Sequence, residues 1–186
     1  MLKIAWLAGA IVTLCVGQGA LAAEPFSLTS SSFKDGTMFS VKHAGNFSTN
    51  PNCVGENISP QLSWSNMPAG TKSLALLLVD PEARAGLGFI HMVVYGIAPA
   101  IAGFAEGELS QPNNKFVGGK NGSGLSYYQG TCIPQGIGMH HYTFTLIATD
   151  LEPSELPAGL TRDELFAKIA GHAKGAAGLV GLFGRP

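Results

Sequence analysis

Charge is scarce in this chain. Asp, Glu, Lys and Arg make up 12% of its 186 residues, against about 25% in an average soluble domain. With 46% hydrophobic residues, that balance excludes disorder, which needs few apolar groups and many charges. The formal net charge is −1 and there is no basic block, which excludes a nucleic-acid partner. No Gly-x-Ser-x-Gly elbow is present, so hydrolysis by an activated serine has no motif to rest on. The stretch Gly118-Gly119-Lys120-Asn121-Gly122-Ser123-Gly124 lacks the Gly-Lys-Ser/Thr order of a phosphate loop. There is no internal repeat, and 186 residues suit one domain with a sizeable core. Glycine, by contrast, is plentiful at 25 residues, about twice the usual ~7%. Few charges and many glycines point to a turn-rich β protein.

The start of the chain reads as an export signal. Met1-Leu2-Lys3 is short and positive, Ile4 to Val16 is apolar, and Ala20-Leu21-Ala22 is a small-x-small cleavage site. The apolar run is shorter than the ~20 residues that span a bilayer. A lipid anchor on Cys15 would put Leu14 where a small residue is expected. Residues 1–22 are therefore read as a cleaved signal and 23–186 as a single domain, periplasmic or secreted, with no membrane span after cleavage. Cleavage removes Cys15 and leaves Cys53 and Cys132. In an oxidising compartment these pair as a disulfide. The competing reading makes Cys132 a nucleophile with a nearby histidine as base.

The chain then organises around residues 73–95. Leu74 to Val79 is a continuous apolar run stopped by Asp80-Pro81, and Phe89 to Tyr95 is a second. Such runs read as strands covered on both faces. Short strands are also expected at 26–29, 38–41 and 62–64. Residues 105–131, rich in Gly, Asn, Ser and Gln, read as a long loop. From 140 to 148, period two puts His140, Tyr142, Phe144, Leu146 and Ala148 on one face and His141, Thr143 and Thr145 on the other. Thr161-x-x-Glu164 is a capping box, and Leu165, Phe166, Ile169, Ala170 and Ala173 form a helical stripe. Leu179 to Gly184 is an apolar tail against the body.

Asp80, His91, His140 and Tyr142 thus recur at strand ends on inward faces, bordered by the loop Gly130 to Gly138. Imidazole N–H groups, a tyrosine hydroxyl and loop amides can together hold one phosphate or carboxylate. Asp80 is useful there if it accepts from a histidine and fixes its tautomer. Alternatively, Asp80, His91 and His140 form a zinc or iron site serving an enzyme.

Five blocks carry a family resemblance. They are Gly55-x-Asn57-x-Ser59-Pro60-x-Leu62-x-Trp64, Asp80-Pro81, the run Phe89-x-His91-x-Val93-Val94-Tyr95, Tyr128-x-Gly130-x-Cys132-x-Pro134-x-Gly136, and His140-x-Tyr142. The chain resembles the phosphatidylethanolamine-binding proteins, in particular their bacterial Raf-kinase-inhibitor-like branch. The resemblance implies a large antiparallel sheet packed on a smaller one, with a few peripheral helices including one near the C-terminus. It also implies a pocket for phosphate-type anions such as a phosphoethanolamine head group, at Asp80, His91, Gly130, Pro134, His140 and Tyr142. It implies no metal, no cofactor and no enzymatic act. The rim departs from the family pattern. Asp-Pro-x-Ala-Pro reads Asp80-Pro81-Glu82-Ala83-Arg84, and the aromatic after the pocket histidine is Met92. A frequent tryptophan is Phe89, the double proline is Ile133-Pro134, and His-Arg-Tyr is His140-His141-Tyr142. The expectation is an exported binding protein whose histidines donate to the anion. A partner protein, such as a kinase or protease engaged through residues 105–131, is a further reading.

Overall fold

The structure, a computed structural model, describes residues 24–186; the expected export signal and Cys15 lie outside them. Its centre is strand β4, Ser73–Asp80. The alternate residues Leu74, Leu76 and Leu78 pack in one core cluster with Leu28, Leu62, Trp64 and Phe104. Ala75 and Leu77 point the other way and pack with Val93, Tyr95, Leu165 and Ile169. An unbroken apolar run is what two covered faces require.

β4 is flanked by β5, Phe89–Ile97, and β8, Met139–Thr149. The sheet is completed by β2, Thr37–Met38, β7, Val117–Gly118, and β9, Ala173–Gly184. The strand order is β2-β9-β8-β4-β5-β7. Every pairing is antiparallel except β2 on β9. A smaller antiparallel sheet, β1-β3-β6, comprises Ser27–Thr29, Leu62–Ser65 and Gly103–Phe104. The expected two-sheet, mainly β architecture is present.

Three local expectations differ. The Met38 to Val41 segment is a two-residue strand followed by a 3-10 turn, Val41–His43. The helix is confined to Arg162–Ile169, with Leu165 and Ile169 buried and Phe166 exposed. Thr161 caps it through the expected capping box. Ala173 begins β9 instead, so the apolar tail is an inner strand of the large sheet. Its buried residues Ala177, Leu179 and Phe183 alternate with period two, and its glycines weaken any helical continuation. The third difference is the 105–131 stretch, which contains β7 and is hydrogen-bonded to β5 by Gly119 N–H to Val93 O and Gly122 N–H to Ile90 O.

Cys53 and Cys132 are joined across a sequence separation of 79. Closing a loop of that length stabilises the fold by on the order of 4 kcal/mol on chain-entropy grounds. The bond also removes Cys132 as a nucleophile.

Candidate functional site

β4 ends where Pro81 can no longer donate a ladder hydrogen bond. The carboxylate of Asp80 is 2% exposed there, so it needs partners. Its Oδ1 accepts the backbone N–H groups of Glu82 and Ala83, both at 3.0 Å. Its Oδ2 accepts the Nδ1–H of His140 at 2.8 Å. The antiparallel register, which sets Val79 opposite Thr143, carries His140 to that position. The carboxylate is thereby saturated, and the His140 ring is fixed with Nε2 left over.

His91 reaches the same place by a different device. Strict alternation would put it with Val93 and Tyr95, on the helix side of the sheet. The β4–β5 register shifts between Leu78↔Met92 and Val79↔Ile90, which leaves His91 as the extra residue of a bulge. A bulge re-aims a side chain. The His91 ring consequently lies 4.8 Å from the Phe89 ring and 5.3 Å from the Tyr142 ring, centroid to centroid. Its Nδ1–H donates to Gln129 O at 2.8 Å. Burial pushes its pKa down to about 4, so the ring is neutral at neutral pH. With Nδ1 committed as donor, Nε2 is an acceptor. The donor role expected for His91 is therefore reversed.

One cavity of about 390 Å³ collects these groups. Asp80, His91, Gly130 and His140 line it. Among the described residues the side chains of His91 and His140 have no partner at Nε2, and the buried unpartnered side-chain atom is Nε2 of His43. Both free Nε2 atoms therefore meet accessible space. Tyr142 stands behind the wall. It is buried, its hydroxyl is hydrogen-bonded to Thr131 Oγ1, and burial raises its pKa. Pro134 is exposed and is not part of the lining, where Ile133 stands instead.

The Gly130 wall is built by the Asn57 block. Asn57 adopts φ 58°, accepts Gly130 N–H at 2.7 Å and donates to Tyr128 O at 3.4 Å. Tyr128 donates its hydroxyl to His43 O at 2.6 Å. A Cβ on Gly130 would stand 2.4 Å from His43 O, so only glycine lets the two backbones cross this closely.

Composition and alternation did not single out Asn50, Ser123 or Gln129, which also line the cavity. Ser123 and Gln129 are brought there by Asn121. Its Oδ1 accepts the N–H of Ser123 and Leu125, and its Nδ2 donates to His91 O. An Asn followed by Gly was the one turn signal available. Arg84 and Phe89, which mark the altered rim, line the mouth. Asp80, His91 and His140 do not form one coordination sphere. Among the described residues the grouping with ligand atoms within 4.8 Å is Asp80, Glu82 and His140, and its Asp80–His140 contact is an N–H···O bond.

Residues 29–184 match the sequence profile of the phosphatidylethanolamine-binding proteins. The chain belongs to that family. Among relatives of this family member, LppC of Mycobacterium tuberculosis is 40% identical over 162 residues, 87% of this chain and 74% of that one. The crystal structure of Escherichia coli YbcL superposes with a TM-score of 0.75 at 27% identity, covering 87% of this chain and 99% of that one. The family homologue CT736 of Chlamydia trachomatis gives 0.72 at 30% identity, covering 87% and 98%.

Proposed function

We propose that this family member is an exported binding protein, not an enzyme, and that its cavity takes a phosphate-type anion. The observation that carries the reading is the pair of free Nε2 atoms beside a saturated Asp80. His140, with Nδ1–H on the carboxylate, becomes a second donor when Nε2 is protonated. Neutral His91 offers an acceptor on the same cavity. A phosphate or phosphomonoester monoanion suits that pair, because it presents both an O⁻ and a P–O–H; the monoester loses that second proton near pH 6. A phospholipid head group offers the same chemistry.

Export is supported by the signal-like residues 1–22, by the disulfide, which belongs to oxidising compartments, and by the name of LppC, which describes it as a candidate lipoprotein. Binding without catalysis is supported by the disulfide at Cys132 and by the missing nucleophile elbow.

Calorimetric titration with inorganic phosphate tests the reading. Affinity is expected to fall between pH 5.5 and pH 8, as the ligand monoanion loses the P–O–H that His91 accepts. In His140→Ala it is expected to drop by roughly tenfold or more, since a charge-assisted hydrogen bond contributes ~1.5–3 kcal/mol, with the urea midpoint retained. Equal affinity in the variant would remove His140 from the site.

A further inference from the structure

The mouth of the cavity carries a cation in an unusual backbone. Arg84 and Ala85 have φ of 54° and 58°, the left-handed region that costs a non-glycine residue on the order of 1 kcal/mol. The single turn Ala83–Gly86 that holds them is tied at both ends. The N–H groups of Glu82 and Ala83 bind Asp80 Oδ1, and Gly88 N–H binds Ala83 O at 2.9 Å. The result is that Arg84 lines the cavity, with its guanidinium carbon 4.8 Å from the centroid of the Phe89 ring.

Phe89 cannot retreat from under it. A Cβ on Gly122 would stand 2.5 Å from the Phe89 ring, so the ring lies directly on that glycine. From mouth to interior, Arg84 lies over the Phe89 ring, and Phe89 meets the His91 ring edge to face. A guanidinium stacked on a ring keeps its N–H edge free. Arg84 forms no ion pair among the described residues. The acid on the same cavity, Asp80, has both oxygens occupied.

We propose that Arg84 is a specificity-determining residue, which selects phosphoryl groups without an attached cation and disfavours zwitterionic ones such as phosphoethanolamine. Its guanidinium edge gives the phosphoryl oxygens a second, planar donor pair. Its position over Phe89 covers the aromatic face at the mouth where a ligand ammonium would otherwise find cation–π attraction. The same ammonium meets a like charge at the mouth, worth on the order of tenfold in affinity. The inference rests on the anion reading of the cavity and adds the class of anion.

The test is calorimetric titration of the wild type and of Arg84→Gly with inorganic phosphate, glycerol 3-phosphate, phosphoethanolamine and dihexanoyl phosphatidic acid. Glycine accepts the left-handed backbone, so the turn survives the change; an unaltered urea midpoint checks this. Arg84→Lys, which keeps charge without the fork, is the second variant. The wild type is expected to bind glycerol 3-phosphate roughly tenfold tighter than phosphoethanolamine. Arg84→Gly is expected to bring the ratio near one, and Arg84→Lys to restore part of it. Tighter binding of dihexanoyl phosphatidic acid than of glycerol 3-phosphate assigns the phosphomonoester to a lipid, and equal binding to a soluble ester; either supports the inference. Phosphoethanolamine preference in the wild type, or a ratio unchanged in Arg84→Gly, overturns the role of Arg84 while leaving the anion site standing. Absence of binding by all four ligands in the wild type overturns the anion site and the inference with it.

Discussion

Asp80 decides what His140 can offer a ligand. An acceptor-only carboxylate holds the ring hydrogen on Nδ1, so the cavity-side nitrogen becomes a donor only on protonation. Asp80→Asn inverts this. The amide oxygen is needed by the N–H groups of Glu82 and Ala83, which turns its NH₂ toward His140 and forces Nδ1 to accept. The neutral ring then carries its hydrogen on Nε2. The two ring nitrogens of His140 are expected to exchange donor and acceptor character in Asp80→Asn, as read from their 15N chemical shifts, and phosphate affinity to change several-fold with them, as read by calorimetry. An unchanged nitrogen pattern would contradict the assigned tautomer. His91 was legible as a site residue only in part. Its place beside Asp80 followed from two apolar runs meeting at a short loop, but the bulge that aims it leaves no mark on the pattern of β5. Its acceptor role depends on the Gln129 carbonyl, which is 38 residues away in sequence.

Among the elements, the turn at 119–124 and strand β5 act as one unit. Phe89 is clamped between Gly122 and Arg84, and Asn121 holds the turn to the backbone of His91. Gly122→Ala would drive a methyl into the Phe89 ring. The expected cost is about 1–3 kcal/mol in urea unfolding, with weaker phosphate binding as the mouth is displaced. A variant of wild-type stability would show the ring to be free to move. Alternation correctly oriented β8, because every inward residue from Tyr142 to Ala148 is apolar or aromatic. It failed for β9, where glycine and alanine on both faces hide the period. It failed as well for β7, whose two residues are too few to carry one.

For the whole molecule, the buried imidazoles couple folding to pH. The folded pKa of His91, about 4, lies below the ordinary histidine value of 6.5, and burial lowers that of His43 as well. The unfolded chain therefore binds protons first. The stability that the neutral rings secure is complete above about pH 6.5 and is lost as pH falls toward 4. For His91 alone the loss is about 3 kcal/mol. Urea unfolding at pH 7 and pH 4.5 is expected to show this loss in the wild type and a smaller one in His91→Phe. An identical loss in both would contradict the neutral, buried ring. Reduction of Cys53–Cys132 is expected to cost up to about 4 kcal/mol at all these pH values, read as a lower urea midpoint. The central strands covered on both faces were legible in the sequence because they are long apolar runs, and the two-sheet architecture was legible only through the family blocks that imply it. The contact with Thr131 that keeps Tyr142 behind the cavity wall and the outward turn of Pro134 were not, because both depend on how a glycine-rich loop crosses another backbone.

The central claim is that one anion sits between His91 and His140. The most direct measurement is an NMR titration of the metal-stripped protein with inorganic phosphate at pH 6, following the imidazole ring resonances. The account predicts saturable shifts at His91 and His140 with a single affinity, while His43, in the core, and His172, paired with Asp150, stay silent. Shifts confined to His172 or the absence of any shift at His91 and His140 would contradict it.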